Sequence, residues 1–416
     1  MEKNRLGIGF IGGGFISRFH IQSLLGVRDV DVVGVVSKTK QSAEDTAALA
    51  NELGVGPAKA FDTITEMVED PGVDALWVCS PNYTRIETFE EIANAVSSSK
   101  GELIGVACEK PLGRNVAEAK KVLELTQSAD LLDGYLENQV FSPSITRGKE
   151  IIWARGAATT GRPFLARAAE EHSGPHMPWF WEGELQGGGV LNDMMCHSVE
   201  EARFLLTEPG KPRDSIKPIS VSAHTDCLKW QRPKYADILS KNSGGKTDYS
   251  QRPSEDFARS LIEYLDENGE KIIVETTTSW CFVGEGLRLS MELFGPEYSM
   301  FVNTLDPDLK VFFSREVSGE AGEDLVEKQN AESGGMPVVS NEAEVYGYTA
   351  ENRHMVESFL AGKRPEENFS DGVNVTELLM TAYMSAEQGQ TITFPPPELD
   401  TFIPAVARGE WNPRSK

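Results

Sequence analysis

The pattern of apolar and polar positions changes about one third of the way along the chain. Between Leu6 and about Tyr135, short apolar runs alternate with segments of helical periodicity. The runs that predict strands are Leu6–Ile11, Val30–Val36, Ala75–Cys79 and Ile104–Cys108. Continuous apolar runs are typical of strands buried on both faces, and their alternation with helices favours right-handed crossovers and a parallel sheet. This part is predicted to be a doubly wound α/β domain that binds a nucleotide.

After about Ser142 the pattern becomes mixed. Helical segments are followed by runs rich in β-forming residues, which predict a mostly antiparallel sheet with helices on one face. These runs are Phe164–His172, Ile219–Thr225, Lys271–Ser279, Leu287–Phe294 and Leu309–Phe313. Two polar stretches, Trp230–Ser254 and Gly319–Asn341, are predicted surface insertions. The expected organisation is a first α/β domain at 1–140, a second at 141–395 and a tail at 396–416.

Charge and composition narrow the class of protein. Among 416 residues the net charge is −24, which disfavours binding to nucleic acid or to an anionic membrane. No apolar run is long enough to span a bilayer, and the first residues lack a secretory pattern, so a cytoplasmic protein is expected. The five cysteines are scattered and lack CxxC spacing, which argues against a disulfide framework or a structural zinc site.

A glycine-rich turn follows the first predicted strand, in the stretch GFIGGGFIS. Gly12 and Gly14 form a G-x-G-x-x-S pattern, with Ser17 where a third glycine often stands. Such a turn lets a pyrophosphate approach the backbone at a helix N-terminus, here at Phe15 and Ile16. Its position between a strand and a helix supports a dinucleotide site; the alternative is a turn that only packs helix on strand.

The end of the second strand bears on the choice of dinucleotide. An acid at this position would bond the ribose of NAD, but the chain has Ser37 and Lys38. A hydroxyl followed by a cation suits the 2′-phosphate of NADP. The alternative is that Lys38 is a solvated loop lysine and that Ser37 bonds a free ribose hydroxyl. The cofactor is therefore predicted to be NAD or NADP.

Two further motifs follow predicted strands, where open α/β sheets bind ligands. Pro81 and Asn82 stand in SPN, and Glu109 and Lys110 stand in EKP. The proline of EKP cannot continue a central strand, which puts Lys110 at the carboxyl edge of the sheet. A lysine there can bond a substrate hydroxyl and pass its proton; the alternative is a solvated surface lysine.

Five motifs together resemble the Gfo/Idh/MocA family of oxidoreductases, which includes glucose–fructose oxidoreductase and inositol dehydrogenase. They are GFIGGGFIS, SPN, EKP, YLENQVFSP and GGGVLNDMMCH, and the resemblance runs from about Leu6 to Pro395. It implies an N-terminal Rossmann domain and a C-terminal α/β domain with an open, mostly antiparallel sheet that often forms the oligomer interface. It also implies NAD or NADP as cofactor and sugars, polyols or their derivatives as substrates.

Carried over residue by residue, the resemblance implies a catalytic group and a cofactor cleft. Lys110, Asp193 and His197 would meet at the substrate, with His197 as the proton acceptor. Glu109 would lie near the nicotinamide ribose, and Pro81, Asn82 and Asn138 would line the dinucleotide cleft. The chain departs from the family at Ser17 and at Arg85, where many members have a histidine after PN-x-x.

The pair Asp193 and His197 also has a reading from the residues alone. Spaced four apart, the two side chains share one helix face, and Gly187–Gly189 before them carry no Cβ that would keep backbone and substrate apart. Histidine has a pKa suited to taking an alcohol proton, and a carboxylate can orient it. The alternative is a helix-surface pair of small energetic value.

The segment EEHSGPHMPWFW combines aromatic and polar side chains of the kinds that bind sugars. The candidate substrate residues are Glu170, His172, His176, Trp179 and Trp181; the alternative is a structural loop. His172 and His176 with Asp193 and His197 also have the chemistry of metal ligands, but a hydride transfer needs no metal, so none is expected.

Three functions compete at this stage. The leading hypothesis is an NAD(P)-dependent dehydrogenase acting on a carbohydrate, working as a homo-oligomer, a dimer or tetramer. The second is a glycosidase that keeps NAD bound and oxidises its substrate transiently. The third is a dinucleotide-sensing regulator without catalysis, against which the presence of Lys110, Asp193 and His197 argues.

Overall fold

The computed structural model describes residues 4–284, 286–306, 309–313, 334–339 and 341–414. The chain forms two compact units, and each is built from two stretches of sequence. The first unit comprises Met1–Pro143 and Ala343–Thr376, and the second comprises Ser144–Glu342 and Glu377–Lys416. The units are thus not the contiguous domains 1–140 and 141–395 expected from the sequence. Residues 343–376 pack with the first unit, because helices that cover a sheet need not be adjacent to it in sequence.

The first unit contains a six-stranded parallel sheet in the order β3-β2-β1-β4-β5-β6. Its strands are β1 (Leu6–Ile11), β2 (Val30–Val36), β3 (Lys59–Ala60), β4 (Ala75–Val78), β5 (Gly105–Glu109) and β6 (Leu132–Leu136). Every residue of β1, β4 and β5 is buried, as their continuous apolar sequences require. The predicted doubly wound parallel sheet is confirmed.

Several helices of the described residues lie entirely within the first unit. They are α1 (Phe15–Ser23), α2 (Lys40–Glu52), α3 (Ile64–Val68), α4 (Arg85–Ser97), α5 (Val116–Ser128) and α12 (Tyr348–Leu360). Polar N-cap residues start several of them; the side chain of Asn115, for example, accepts a hydrogen bond from the Glu118 amide before α5. Helix α12, from late in the chain, packs on α1 and β1.

The second unit contains a seven-stranded mixed sheet in the order β12-β11-β7-β10-β9-β8-β15. Its strands are β7 (Leu165–Glu171), β8 (Lys217–Asp226), β9 (Phe257–Leu265), β10 (Lys271–Ser279), β11 (Arg288–Phe294), β12 (Ser299–Asn303) and β15 (Ile392–Thr393). Strands β7 and β10 run parallel, and the other neighbours are antiparallel. The sequence missed β9 and β12, and it missed the parallel pair because strand order is not a local property.

Helix α9 (Val190–Leu206) packs on β7, β9 and β10. Alternate residues of β9 and β10 are buried, as expected when one face of a sheet is covered. The intervening residues on the opposite face, such as Leu261 and Ile273, are partly exposed. An ion-pair ladder on this opposite face joins Arg167 to Glu275 at 2.7 Å.

The remaining helices are α6 (Pro143–Ile151), which continues as a π-helical segment at Ile152–Ala157, and α7 (Ala158–Thr160), α8 (Gly183–Gln186), α10 (Pro233–Asn242), α11 (Glu342–Val345) and α13 (Phe369–Gln388). Helix α10 lies inside the stretch Trp230–Ser254 that was predicted to be a surface insertion. Most of the second predicted insertion, Gly319–Asn341, lies outside the described residues.

A small third sheet pairs β13 (Leu309–Phe313) with β14 (Gly334–Val338) in antiparallel register. The sequence had assigned Leu309–Phe313 to the large antiparallel sheet, and this assignment is wrong. Among the helices of the described ranges, none is both long and apolar enough to cross a membrane.

Candidate active site

The glycine-rich turn joins β1 to α1 and has the geometry that a dinucleotide needs. Gly12 has a φ of +116°, a conformation that favours glycine, and a Cβ there would lie 2.8 Å from the Cys79 carbonyl oxygen. Gly14 is exposed, and a Cβ built on it meets nothing within 4 Å. Phe15, the first residue of α1, is 42% exposed, and Ile16 is half-buried. The open backbone at a helix N-terminus therefore fits a pyrophosphate.

Ser17 and Ser37 complete the surroundings of this turn. Ser17 is fully buried, so a small hydroxyl side chain is accommodated where a third glycine often stands. The Ser37 hydroxyl donates to Ser42 at 3.3 Å, and the Ser42 hydroxyl donates to the carbonyl of Gly13. Ser37 is thus tied to the glycine turn, whereas Lys38 is exposed.

The SPN and EKP motifs follow adjacent strands. Strands β4 and β5 pair in parallel register, so Pro81 and Asn82 after β4 and Glu109 and Lys110 at the end of β5 lie at the same edge of the sheet. Asn82 and Glu109 are buried, while Lys110 is half-buried. The role of Lys110 toward a substrate remains a prediction.

Asn138, which follows β6, has a structural contact of its own. Its side chain is buried, and its amide nitrogen donates to the Tyr346 carbonyl at 2.7 Å. This bond ties the end of β6 to the returning segment Ala343–Thr376 of the same unit. A role for Asn138 toward a cofactor remains a prediction.

The carboxylate of Glu109 is held by a histidine on α1. Nε2 of the buried His20 lies 2.7 Å from Glu109 Oε1, and the other carboxylate oxygen accepts from the Lys110 amide at 3.1 Å. Asn352 of α12 donates to His20 Nδ1 at 2.9 Å and accepts from Trp77 Nε1 at 2.8 Å. In the tautomer in which Nδ1 accepts from Asn352, Nε2 bears the hydrogen and donates it in a hydrogen bond to the Glu109 carboxylate. This hydrogen bond fixes the orientation of the Glu109 side chain.

Arg85 stabilises the EKP turn through hydrogen bonds to its backbone. Its guanidinium is 1% exposed and donates to the Glu109 carbonyl and, at 2.5 Å, to the Pro111 carbonyl. These two carbonyls stand on either side of Lys110. Arg85, which stands where many members of the family have a histidine, thus donates hydrogen bonds to the backbone of the EKP motif.

A second buried carboxylate, Glu351 of α12, has no hydrogen-bond partner in the described structure at either oxygen. It is fully buried near Glu109, Glu137 and Glu367. Burial, reinforced by these carboxylates, raises the pKa of Glu351 well above its usual value. Glu351 therefore holds a proton at pH values where an exposed glutamate is ionised.

The second unit carries Asp193 and His197 on α9. All 17 residues of this helix are buried, and both side chains are 4% exposed. The alternative of a solvated helix-surface pair is therefore wrong. Asp193 Oδ2 accepts a hydrogen bond from the buried Trp280 at 3.3 Å. Because Lys110 belongs to the first unit, its convergence with this pair remains a prediction.

The three glycines before α9 make room for protein side chains. Gly187 has a φ of +93°, which favours glycine. A Cβ on Gly188 would overlap the Tyr383 hydroxyl, and one on Gly189 would lie 2.7 Å from the Glu255 carboxylate. Sequence reasoning had explained these glycines by close approach of a substrate, but the groups that occupy this space are Glu255 and Tyr383.

Trp181, a predicted substrate residue, lies inside an aromatic cluster. It is 4% exposed, and its ring centroid lies 4.9 Å from those of Trp230 and Trp280 and 5.5 Å from that of Tyr249. Its indole nitrogen donates to the Pro175 carbonyl at 3.1 Å. Trp181 therefore supports Trp280, which in turn contacts Asp193.

The other four predicted substrate residues differ in burial. Glu170 and His172 are buried near the end of β7, Trp179 is half-buried and stacks on Phe180 with centroids 3.8 Å apart, and His176 is exposed. Their contact with a substrate remains a prediction.

The metal-ligand alternative for His172, His176, Asp193 and His197 lacks the required geometry. Within the described ranges, no three of these side chains bring their ligand atoms to within 4.8 Å of one another. The structure therefore does not assemble this set into a metal centre.

Sequence reasoning missed the groups that hold the predicted residues in place: His20, Arg85, Glu255, Trp280 and Tyr383. Only Arg85 carried a signal, its position in the PN-x-x motif. The other four lie in ordinary helical or strand-end sequence, and their partners are distant in the chain.

Comparison with known proteins gives matches over both units. Residues 6–132 match GFO_IDH_MocA, described as an oxidoreductase family with an NAD-binding Rossmann fold, and residues 156–300 match the GFO/IDH/MocA C-terminal domain. A myo-inositol 2-dehydrogenase of Thermotoga maritima is 29% identical over 48% of this chain and 55% of its own length. A levoglucosan dehydrogenase of Pseudarthrobacter phenanthrenivorans is 24% identical over 76% of this chain and 78% of its own length. The chain thus spans about half the length of the first of these relatives.

Solved structures extend the similarity to the whole fold. The structure of GenD2 from gentamicin A biosynthesis, in complex with NAD, superposes with a TM-score of 0.74 at 25% identity and covers 95% of this chain and 98% of its own. A levoglucosan dehydrogenase in complex with NADH has a TM-score of 0.67 at 19% identity and covers 94% of this chain and 99% of its own.

The raised pKa of Glu351 generates a prediction about stability and pH. Since the folded state holds this proton more tightly than the unfolded state, the contribution of Glu351 to stability falls as the pH rises above 4.5, the ordinary pKa of a glutamate. We expect Glu351→Gln, which has no proton to lose, to be more stable than the wild type at pH 8 and to show a flatter decline of the urea midpoint between pH 5 and pH 8. Glu357→Gln, at an exposed position of the same helix, is the control. Parallel pH curves for Glu351→Gln and the wild type would contradict the assignment.

Proposed function

Because the chain belongs to the Gfo/Idh/MocA family of oxidoreductases, we propose that it is an NAD(P)-dependent dehydrogenase acting on a carbohydrate. It transfers a hydride between a secondary alcohol of a sugar, polyol or glycoside and the nicotinamide. The buried Asp193–His197 pair carries this proposal, since a buried acid and imidazole on one helix face suit proton transfer. The open glycine turn of the first unit supports the dinucleotide.

Three side chains of the protein take part in the proposed oxidation of the alcohol. A bound nicotinamide supplies the hydride acceptor, and the protein handles the proton. His197 takes the hydroxyl proton, Lys110 bonds the same oxygen, and Asp193, held by Trp280, orients the substrate or the imidazole. His20 and Arg85 support Lys110 by holding the side chain and carbonyl of Glu109.

The substrate class follows from the relatives and from the predicted lining residues. A cyclic polyol or an anhydrosugar is the class named for the myo-inositol and levoglucosan dehydrogenases. Glu170, His172, His176 and Trp179 are proposed to contact the hydroxyl groups and a ring face, and Trp181 supports this surface from within the aromatic cluster.

We also propose a cytoplasmic location and a homo-oligomer. All five cysteines are free thiols, which suits a reducing compartment. The face of the seven-stranded sheet opposite α9 carries apolar and paired charged side chains, Leu261, Ile273 and the Arg167–Glu275 ladder among them. A second copy of this chain would cover such a face.

The proposed activity is tested by screening sugars, polyols and glycosides with NAD and with NADP while the nicotinamide absorbance is followed. We expect turnover of at least one cyclic polyol or sugar. His197→Ala and Lys110→Ala should each lower kcat by about 10²–10⁴-fold, the usual contribution of a positioned acid–base group, with little change in NADH affinity. His224→Ala, at an exposed position of β8, is the matched control. Near-full turnover by His197→Ala, with a primary isotope effect showing that hydride transfer limits the rate, would refute its role as proton acceptor.

The position of Lys38 predicts a cofactor-dependent effect. We expect Lys38→Ala to weaken binding of NADP more than binding of NAD, because only NADP has a 2′-phosphate on its adenosine ribose that this cation can bond. Titration of each cofactor by nicotinamide fluorescence measures the difference. Lys40→Ala removes a nearby exposed lysine that lies 3.6 Å from Asp62 and should not discriminate. An equal loss for both cofactors would show that Lys38 does not read the phosphate.

The oligomer is tested by sedimentation at micromolar concentration. We expect a dimer or tetramer, and Ile273→Glu on the face opposite α9 should shift the protein toward the 45.7 kDa monomer, because a buried charge opposes association. A wild-type protein that sediments only as the monomer would count against the proposal.

A further inference from the structure

The helix α9 begins without a capping side chain of its own. Its N-cap residue is Gly189, which offers no acceptor. The first four amides of a helix lack partners within it and require acceptors from elsewhere, especially when the helix end is buried. Here they belong to residues 189–192, immediately before Asp193.

Two side chains from other elements accept these amides. Oε1 of Glu255 accepts from the amides of Gly189 at 2.8 Å and Leu191 at 3.2 Å, and the Glu255 carbonyl accepts from Val190 at 3.0 Å. The hydroxyl of Tyr383 accepts from the amide of Asn192 at 3.3 Å. All four amides at the start of α9 are therefore satisfied by Glu255 and Tyr383.

Glu255 and Tyr383 form one buried unit. Glu255 precedes β9 by two residues, Tyr383 lies in α13, and neither side chain is appreciably exposed. The Tyr383 hydroxyl donates to Glu255 Oε1 at 2.5 Å. The absence of a Cβ at Gly188 and Gly189 leaves the space that this pair occupies.

The same end of the sheet also fixes the side chain of Asp193. Residue Phe257 of β9 pairs with Ser279 of β10, so Glu255 and Trp280 extend from neighbouring strand ends. Trp280 donates through its indole to Asp193 and through its amide, at 2.8 Å, to the carbonyl of Asp256. Groups at the same end of the sheet therefore bond both the backbone that precedes Asp193 and the carboxylate of Asp193.

We infer that Glu255, together with Tyr383, is a positioning residue for the Asp193–His197 pair: its carboxylate fixes the first turn of α9 and thereby the height and rotation of both side chains. The inference rests on the proposed dehydrogenase function. A negative charge at this place is also favoured by the positive end of the helix dipole. Misplacement of a catalytic group by about 1 Å can cost about 10²-fold in rate, so a loosened first turn has a measurable consequence.

Burial and hydrogen bonding have opposite effects on the pKa of Glu255. Burial raises its pKa to about 7, and the Tyr383 hydroxyl and the backbone amides lower it in part. The titratable groups that face it are Tyr383, Tyr249 and Asp256. Burial raises the pKa of both tyrosines well above the usual value, so both stay neutral, and the Asp256 carboxylate accepts the amides of residues 228–230.

The first experiment measures the helix start without any substrate. We expect Glu255→Ala to increase deuterium uptake of a peptide spanning 187–197 by about tenfold in rate, since the amides of Gly189 and Leu191 lose their acceptor. Tyr383→Phe should give a smaller increase centred on Asn192. Glu263→Gln, which removes a carboxylate of β9 bonded to Ser220 and Lys271, should leave this peptide unchanged. Unaltered uptake in both Glu255→Ala and Tyr383→Phe would overturn the inference.

The second experiment separates positioning from simple stability. We expect Glu255→Ala to lower kcat by about 10- to 100-fold at unchanged NADH affinity and nearly unchanged KM, and Glu255→Gln, which keeps one acceptor oxygen, to recover part of this loss. Tyr383→Phe keeps the carboxylate and serves if the Glu255 variants do not fold. A wild type without turnover would refute the proposed function while the exchange result still decides the contact. Wild-type kcat in soluble Glu255→Ala and Tyr383→Phe, or a loss confined to NADH binding, would overturn the inference.

Discussion

The second unit depends on the hydrogen bonds at the start of the helix Val190–Leu206. The helix is buried along its whole length, so its first amides have no water to bond, and an unsatisfied buried amide costs about 1–3 kcal/mol. The carboxylate of Glu255 and the hydroxyl of Tyr383 meet this demand. The lack of a Cβ at Gly188 and Gly189 leaves the space that these two side chains occupy. Glu255 and Trp280 lie at neighbouring strand ends, from which they bond the start of the helix and Asp193.

Two of the buried glutamates of the first unit, Glu109 and Glu351, differ from Glu255 in their hydrogen bonds. Glu109 has one carboxylate oxygen beside His20 Nε2 and the other bonded to the Lys110 amide. Glu351 has no donor, and its pKa rises well above the usual value. Glu255, with three donors but complete burial, has a pKa of about 7. Burial raises the pKa of both Glu255 and Glu351, and at Glu255 the hydrogen-bond donors offset part of this effect.

Four of the six strands of the first unit were predicted from their continuous apolar runs, whereas β3 (Lys59–Ala60) and β6 (Leu132–Leu136) were missed. Continuous apolar runs such as Val30–Val36 agree with the observed strand, and the alternation of strands and helices gave the parallel sheet. Strand β10 was predicted with its observed bounds, Lys271–Ser279. The neighbouring strand Phe257–Leu265 was missed although its alternate residues are buried. The return of residues 343–376 to the first unit was also missed, because which unit a helix covers depends on packing and not on its own sequence.

By itself, the sequence determined the motifs: the glycine turn, the EKP lysine and the Asp193–His197 spacing, each set by a few neighbouring residues and by the period of a helix or strand. Only the tertiary structure decided what holds them. His20 reaches Glu109 across 89 residues, and Glu255 and Tyr383 reach Gly189 across 66 and 194. The physical reason is that a buried donor or acceptor must be satisfied by whatever polar group the fold brings beside it, and such long-range partners leave no local pattern along the chain.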